Sequence, residues 1–205
     1  MTLRARMTSR DDAEGIAAYL TRGGIVLLPT DTVFGLAVDP SQPAAVERLF
    51  RLKRRPVERK LPVMVAEVSQ LGALGVEISE AASKLLKSRY VPGPLTIAMG
   101  FKDGHRPGWL RSRDELAVRI PDDAALLSVL RITGPLYVTS ANAHGFASPD
   151  EISAILAQLD GDPDLVVEGR PGGGKPSTLV NCRLRPPVIE RVGAVPEREI
   201  RELLE

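Results

Sequence analysis

Two kinds of hydrophobic pattern alternate along the chain. Short apolar runs bounded by turn-forming residues predict strands, and apolar positions spaced by three or four residues predict amphipathic helices. The predicted strands cover residues 25–28, 61–66, 95–101, 116–120, 136–139, 165–167, 178–181 and 188–191. The predicted helices cover residues 13–22, 43–53, 79–90, 122–132, 148–159 and 198–204. Because the last strands follow one another without a helix between them, the pattern predicts an α/β fold with a twisted, mixed parallel and antiparallel sheet flanked by helices.

Positive charge is concentrated in residues 48–60, RLFRLKRRPVERK, where seven of the thirteen residues are Lys or Arg, although the formal net charge of the chain is only +1. Val46, Leu49, Phe50 and Lys53 fall on one face of the predicted helix, and Pro56 is expected to end that helix. Cations suit a helix C-terminus, but that effect accounts for only one or two of these charges. Three explanations remain: a solvated helix face, a nucleic-acid-binding patch, or a clamp for a polyphosphate.

The composition is that of a soluble globular protein. Of the 205 residues, 43% are hydrophobic and only 4% aromatic, which argues against a base-stacking surface for single-stranded nucleic acid. Cys182 is the only cysteine and there are two histidines, so the sequence predicts neither an internal disulfide nor a Cys-rich or His₃ zinc site. The N-terminal residues lack the apolar core of a signal peptide and no apolar run is long enough to span a bilayer, so a cytoplasmic location is expected.

Residues 169–177, GRPGGGKPS, follow a predicted strand and nearly match the P-loop pattern. Pro176 stands where a P-loop has the Ser or Thr that binds Mg²⁺, and the next residues predict a strand, whereas a P-loop opens into a helix. We therefore expect a flexible glycine-rich loop, with Gly172–Gly174 able to close over a neighbouring site and Lys175 able to approach phosphate from it.

Three further segments carry candidate chemistry. Residues 29–36, PTDTVFGL, and 139–145, TSANAHG, place hydroxyl and amide side chains directly after predicted strands, where α/β sheets bind ligands. Both patterns also suit turns whose side chains satisfy their own backbone. Arg119 lies between apolar residues of a predicted strand, so it needs an anionic partner, either a structural carboxylate or that of a substrate. His144 has no evident carboxylate partner in sequence and is interpreted as a loop residue.

Together these segments resemble the YrdC/TsaC family of threonylcarbamoyl-AMP synthases, from about residue 24 to residue 193. The family pattern K-x-R followed by S-x-N is matched by Lys53, Arg55, Ser140 and Asn142. The other matches, in family order, are PTDTVFGL at 29–36, VPGPLT at 91–96, VRIP at 118–121, PST at 176–178 and R-x-G at 191–193. Met64 departs from the pattern, because many members have at this position a His that lines the threonine site.

The resemblance implies a short, single-domain form covering residues 1–205, with a concave basic cavity. It also implies that the protein makes threonylcarbamoyl-AMP and pyrophosphate from ATP, L-threonine and bicarbonate. The product would serve a threonylcarbamoyl-transferase complex that modifies tRNA. Mg²⁺ would be held mainly by the ATP phosphates, without a metal site on the protein. Because no protein nucleophile is needed, catalysis would rest on positioning and on neutralising phosphate charge.

The matching positions supply the expected site residues. Lys53 and Arg55 are the expected catalytic residues. The expected ATP-binding residues are Lys53, Arg55, Arg59, Ser140, Asn142, Ser148 and Arg191. The expected threonine-binding residues are Thr32, Arg119 and Ser177, with Arg119 pairing the carboxylate. Ser148 also has a structural interpretation, because residues 148–151 have the spacing of a capping box, with Pro149 at the first helical position.

Two alternatives remain open. The first is a non-catalytic YrdC-like module that contacts tRNA or double-stranded RNA through the same basic surface, against which the scarce aromatics and the near-zero net charge argue. The second is the carbamoyl-adenylate-forming relative found within hydrogenase-maturation proteins, which are much longer chains with zinc-finger-like cysteines. Pyrophosphate release from ATP with threonine, with carbamoyl phosphate, or with neither distinguishes the three hypotheses.

Overall fold

In the computed structural model, which describes residues 6–104 and 106–205, ten strands form one mixed sheet and six α-helices flank it. The strands are β1 (Arg6–Thr8), β2 (Val26–Leu28), β3 (Gly35–Val38), β4 (Val63–Met64), β5 (Leu95–Gly100), β6 (Glu115–Arg119), β7 (Leu136–Ser140), β8 (Leu165–Val167), β9 (Thr178–Asn181) and β10 (Val188–Arg191). The helices are α1 (Ala13–Thr21), α2 (Pro43–Leu52), α3 (Glu80–Leu86), α4 (Ala124–Thr133), α5 (Ile152–Gln158) and α6 (Glu197–Leu204). Two 3₁₀ helices span Val68–Leu71 and Gly108–Leu110.

The strand order is β1-β8-β2-β3-β7-β4-β6-β5-β9-β10. The pairs β1–β8, β2–β8, β4–β6 and β5–β9 are parallel, and the others are antiparallel. This mixed sheet with flanking helices confirms the predicted fold class. Neighbouring strands are often far apart in sequence, as in the pairing of Gly35 with Ser140, so the sheet brings several predicted site segments to its centre.

Each face of the sheet has its own apolar core. On one face α1 and α4 pack through residues such as Leu20 and Leu130. On the other face α2, α3 and α6 contribute Leu49, Leu85 and Ile200. Successive strand residues alternate between the two cores, as the two-residue period of a strand requires. The central strands are therefore buried between two helical layers, while the edge strands β1 and β10 are largely exposed.

Helix α2 does not end at Pro56, which corrects the sequence expectation. It ends at Leu52, and two residues later Arg54 takes up a left-handed conformation with φ of 50°. The backbone N–H of Arg55 then donates to the carbonyl of Phe50 at 2.9 Å. This is a Schellman motif, which reverses the chain at the helix end without requiring a proline.

Ser148 does not cap helix α5, so the predicted capping box is also wrong. The helix begins at Ile152, with Glu151 at the preceding position. The hydroxyl of Ser148 instead donates to Oδ1 of Asn142 at 3.3 Å. Residues 148–151 thus continue the loop that follows β7, because Asn142 offers Ser148 a tertiary partner.

Candidate active site

A cavity of about 190 Å³ opens beside the middle of the sheet. Its walls come from the loops before β3, β4 and β9 and from strands β3 to β7, β9 and β10. The lining residues are Thr30, Thr32, Val33, Phe34, Gly35, Arg55, Lys60, Pro62, Met64, Thr96, Ala117, Arg119, Val138, Thr139, Ser140, Pro176, Ser177, Leu179 and Arg191. Four of these side chains are basic, and none of the lining residues in the part of the chain that the structure describes is acidic. The cavity is therefore suited to an anion.

The three arginines of the cavity carry positive charge that the protein compensates only in part. Burial lowers the pKa of Arg55, and the neighbouring Arg59 and Arg191 lower it further. Burial also lowers the pKa of Arg191, with Arg119 as the second cause. The guanidinium groups nevertheless stay protonated at neutral pH. Because they repel one another, a bound polyanion would relieve an unfavourable interaction that the free protein contains.

Arg119 is held by three partners at the floor of the cavity. Its Nε donates to the carbonyl of Gly93 at 3.0 Å, one Nη donates to Oγ1 of Thr32 at 2.8 Å, and the other donates to Oδ1 of Asp31 at 2.6 Å. Asp31 is thus a structural anionic partner for this buried arginine. Burial lowers the pKa of Arg119, and Asp31 opposes that shift. Two of the five N–H groups of the guanidinium are left for a ligand.

Ser177 joins two walls of the cavity. Its hydroxyl lies 2.7 Å from Oγ1 of Thr96 on β5. Arg191, on β10, donates twice to the carbonyl of Ser177, at 2.9 and 3.1 Å, and once to its hydroxyl at 3.1 Å. Gly193 brings the two segments close together, because a Cβ at this position would overlap the carbonyl oxygen of Pro176 and lie 2.5 Å from that of Ser177. The R-x-G segment therefore fixes Ser177 and places a guanidinium at the rim.

Lys53 lies behind the cavity wall. Its Nζ donates to the carbonyl of Ser140 and, at 2.6 Å, to that of Asn142. The residue is 1% exposed. Burial, with a smaller contribution from Arg55, lowers the pKa of its ammonium group to about 7.

Asn142 is the centre of the turn that follows β7. Its Oδ1 accepts from the hydroxyls of Ser140 and Ser148, and its Nδ2 donates to the carbonyls of Ala143 and Phe146 at 2.8 and 2.7 Å. Ser140 lines the cavity, whereas Asn142 and Ser148 support it from outside. The S-x-N segment therefore forms a turn held by side-chain hydrogen bonds, and the hydroxyl of Ser140 lies at the cavity.

The basic residues of segment 48–60 differ in their positions and contacts. Nη2 of Arg48 donates to both carboxylate oxygens of Asp164, at 2.6 and 2.7 Å, and so ties α2 to the loop before β8. Arg55 and Lys60 line the cavity, and Arg55 is braced by donating to the carbonyls of Arg59 and Lys60. Arg59 is exposed next to the rim. The remaining arginines of the segment, Arg51 and Arg54, are exposed as well.

The glycine-rich segment is a loop, as predicted, and β9 rather than a helix follows it. The amides of Gly172 and Gly173 donate to the carbonyls of Thr30 and Thr32 at 2.8 and 3.1 Å. A Cβ on Gly172 would come within 3.1 Å of the carbonyl oxygen of Asp31, so the loop lies against the segment that supplies part of the cavity. Lys175 is exposed.

The structure brings six of the ten predicted site residues to the cavity lining, namely Thr32, Arg55, Arg119, Ser140, Ser177 and Arg191. It places Lys53, Arg59, Asn142 and Ser148 next to them but outside the lining. The sequence interpretation missed Asp31 as the partner of Arg119, although its position beside Thr32 in PTDT was a usable signal. It also missed the apolar wall of Pro62, Ala117 and Val138, for which no sequence signal exists because each sits within an ordinary apolar run.

No cluster of three or more His, Cys, Asp or Glu side chains able to hold a metal occurs within residues 6–104 and 106–205. Over the same residues, no helix combines the length and the apolar character needed to cross a bilayer.

Comparison with known proteins gives consistent matches. The model of the Sua5/YciO/YrdC family, described as telomere recombination, matches residues 18–193. A threonylcarbamoyl-AMP synthase of Bacillus subtilis (strain 168) is 34% identical over 191 residues, which are 92% of this chain and 55% of the relative. A threonylcarbamoyl-AMP synthase of Pseudomonas paraeruginosa (strain DSM 24068 / PA7) is 33% identical over 175 residues, which are 85% of this chain and 94% of the relative. This chain thus spans about half of the Bacillus protein and nearly all of the Pseudomonas protein.

A solved structure has the same fold. The structure of Pyrococcus abyssi Sua5 complexed with L-threonine superposes with a TM-score of 0.85 at 29% sequence identity. The match covers 100% of this chain and 61% of the Pyrococcus chain.

Proposed function

The chain belongs to the Sua5/YciO/YrdC family, and on that premise we propose that it is a threonylcarbamoyl-AMP synthase. The observation that carries the proposal is the cavity of about 190 Å³, lined by four basic side chains and, among the described residues, by no acidic one. Hydroxyl groups also line the cavity, but among the described residues the lining holds no His, Asp or Glu that would activate one of them as a nucleophile. Such a site suits a reaction in which one substrate attacks another. The relatives named threonylcarbamoyl-AMP synthase support the same activity.

We place the ATP triphosphate against Arg55, Lys60 and Arg191. Arg191 is close enough to Arg55 to lower its pKa, and Lys60 also lines the cavity. Arginine forks and a lysine point charge together match the oxygens of a triphosphate. The exposed Arg59 would reach the outer phosphate from the rim. The turn of Ser140, Asn142 and Ser148 would contact the nucleoside part.

L-Threonine would bind at the floor of the cavity. The two free N–H groups of Arg119 would hold its carboxylate, with the hydroxyls of Thr32 and Ser177 on either side. Met64, on the cavity wall, offers only a thioether and so cannot donate a hydrogen bond to the substrate hydroxyl. The Pyrococcus complex with L-threonine supports an amino-acid site in this fold.

The proposed reaction balances without a covalent enzyme intermediate. The neutral amine of threonine attacks bicarbonate, forming the N–C bond of a carbamate and releasing water. A carbamate oxygen then attacks the α-phosphorus of ATP, and pyrophosphate leaves. Arg119 would fix the amino acid while Arg55 and Arg191 neutralise the charge on the phosphates. Mg²⁺ bound to the phosphates would add to that neutralisation, since the described residues offer no acidic cluster for it.

Pyrophosphate release tests this proposal. We expect release from ATP only when L-threonine, bicarbonate and Mg²⁺ are all present, and at least about a tenfold loss of kcat/KM in Arg55→Ala. Arg51→Ala is the matched control, because Arg51 is exposed on α2 and does not line the cavity. Release with carbamoyl phosphate in place of threonine would instead indicate the hydrogenase-type reaction. Steeply salt-dependent RNA binding without turnover would indicate the non-catalytic module.

The product is a mixed anhydride and needs an acyl acceptor. We propose that this acceptor is tRNA, reached through a cytoplasmic threonylcarbamoyl transferase. The proposal is supported by the activity for which the relatives are named.

A further inference from the structure

We infer that Lys53 is a positioning residue, which holds the turn of residues 140–148 by its backbone instead of binding phosphate itself. This inference rests on the proposed function, because it assigns a role within the ATP site. It differs from the expectation drawn from the sequence, in which Lys53 and Arg55 both contact the triphosphate.

Three hydrogen bonds join Lys53 to the turn. Its Nζ donates to the carbonyls of Ser140 and Asn142, and its own carbonyl accepts from the backbone N–H of His144 at 2.9 Å. The residue is 1% exposed and is absent from the cavity lining. Two of its three ammonium N–H groups are thus used, and because the side chain is buried outside the lining, moving Nζ into the cavity to meet a phosphate would break both bonds and leave each carbonyl without its partner.

The end of helix α2 explains why Lys53 and Arg55 of the K-x-R motif point in different directions. Lys53 follows the last helical residue and stays on the buried face of Leu49. The left-handed conformation of Arg54 then reverses the chain, so that Arg55 leaves in another direction and lines the cavity. In K-x-R the lysine therefore points into the protein and the arginine into the site.

The turn that Lys53 holds has little other anchorage to α2. Asn142 links Ser140, Ser148 and the carbonyl of Phe146 to one another, but these bonds lie within the turn itself. The turn is also held on its other sides. Gln158 of α5 accepts from the N–H of Ala143 at 3.2 Å and donates to the carbonyl of Ala147 at 3.4 Å, and the N–H of Ala141 donates to the carbonyl of Phe34 at 2.7 Å. Removing the Lys53 ammonium would therefore loosen the turn only on the side of α2 and allow it to shift there. Because Ser140 is its residue at the cavity, such a shift would disturb the nucleotide contact while leaving Arg55, Lys60 and Arg191 in place.

The first test compares Lys53→Met with Lys84→Met by hydrogen exchange without ligand. Lys84 is a matched control, because its Nζ also donates to a backbone carbonyl, that of Leu204 at 3.3 Å, far from the cavity. We expect exchange in residues 140–148 to rise at least about fivefold in Lys53→Met only. Unchanged exchange in that segment would overturn the inference.

Ligand affinities separate positioning from direct binding. In Lys53→Met we expect the Kd values of adenosine and ATP to rise by the same factor, and that of pyrophosphate to stay unchanged, because the turn faces the nucleoside part. If Lys53 instead bound phosphate directly, the substitution would weaken ATP binding but leave adenosine binding unaffected, and this result would overturn the inference.

Competitive acetylation of the wild-type protein gives a test that survives if Lys53→Met does not fold. We expect Lys60, which is exposed at the cavity, to react and to be protected by ATP, whereas Lys53 stays unreactive with and without ATP. The lowered pKa of Lys53 would make an accessible amine more reactive, so its silence would reflect burial. Reaction of Lys53 that ATP suppresses would overturn the inference. Failure of ATP to protect Lys60 would count against the proposed function instead. The role of Lys53 would then be judged from its reactivity without ATP, where no reaction supports the inference and reaction overturns it.

Discussion

At the scale of single residues, burial of Lys53 links its protonation to folding. Its pKa is about 7 in the folded protein, whereas in the unfolded chain it returns to its ordinary value of 10.5. Between these values the unfolded state binds more protons than the folded state. The cost of burying the ammonium is therefore fully present below about pH 7 and is progressively removed as the pH rises.

The stability of wild-type protein relative to Lys53→Met should consequently increase with pH. We expect the difference in unfolding free energy to grow by up to about 1.4 kcal/mol per pH unit above about pH 7. Urea unfolding curves at several pH values measure it, with Lys84→Met expected to run parallel to wild type. A difference that does not vary with pH would show that Lys53 titrates as an ordinary lysine.

The Arg119 site makes a second residue-scale prediction. Arg119→Lys keeps the charge next to Asp31 but removes the fork that serves Gly93 and Thr32 and that, in the proposed function, also holds the carboxylate of threonine. We expect the KM for threonine to rise at least about tenfold and the KM for ATP to change less than about twofold.

Arg10→Lys is the matched control for this change. Arg10 pairs with Asp123 at 2.8 Å outside the cavity, so the same substitution there should leave both KM values near wild type. An equal rise of both KM values in Arg119→Lys would mean that the substitution disturbs the whole site and not the threonine contact.

At the scale of elements, the sequence predicts the helices and strands whose apolar spacing is visible within a short stretch of the chain. Helix α4 and strands β5, β6 and β7 appear close to where their apolar spacing places them. Strand β3 was missed, because residues 35–38 follow the hydroxyl-rich PTDT and were interpreted as part of a ligand loop. Strand β1 was missed because its three residues are largely polar and exposed, and it is defined by its partner β8, more than 150 residues later.

The approach of β10 to the start of β9 gives an element-scale prediction. In Gly193→Ala the new methyl group would force the backbone at Pro176 and Ser177 away, because it would overlap their carbonyl oxygens. We expect a loss of about 1–3 kcal/mol in unfolding free energy and a large drop in pyrophosphate release. Gly174→Ala, in the same region but with open space around it, should behave as wild type in both measurements. Wild-type activity in Gly193→Ala would contradict the role assigned to this contact.

At the scale of the whole molecule, the cavity collects residues from position 30 to position 191. The order of motifs was enough to predict six of its lining residues, because the family pattern fixes which segments meet. The inward position of Lys53 was not predictable, since it depends on how the end of α2 packs against a turn some 90 residues later. The partner of Arg119 was left open because Asp31 is 88 residues away in sequence, although its position beside Thr32 in PTDT was a usable signal.

The rate at which the Cys182 thiol is alkylated can be used to test whether the sheet is folded. It is buried behind β9, and burial raises the pKa of its thiol to about 11. We expect its alkylation near neutral pH to be at least about 100-fold slower than that of a free cysteine, and to become fast only when urea unfolds the protein. Rapid alkylation under native conditions would place the thiol on an accessible surface.

The pairing of β1 with β8 and the closure of the cavity by β10 also set an order of events during synthesis. Strand β1 is made before β8 and has no parallel neighbour until residues 165–167 have been made. Arg191 closes the cavity from β10, near the end of the chain. A nascent chain therefore acquires its first helices and hairpins long before the cavity is complete. We expect ATP to stabilise the completed protein without assisting the folding of its growing precursor.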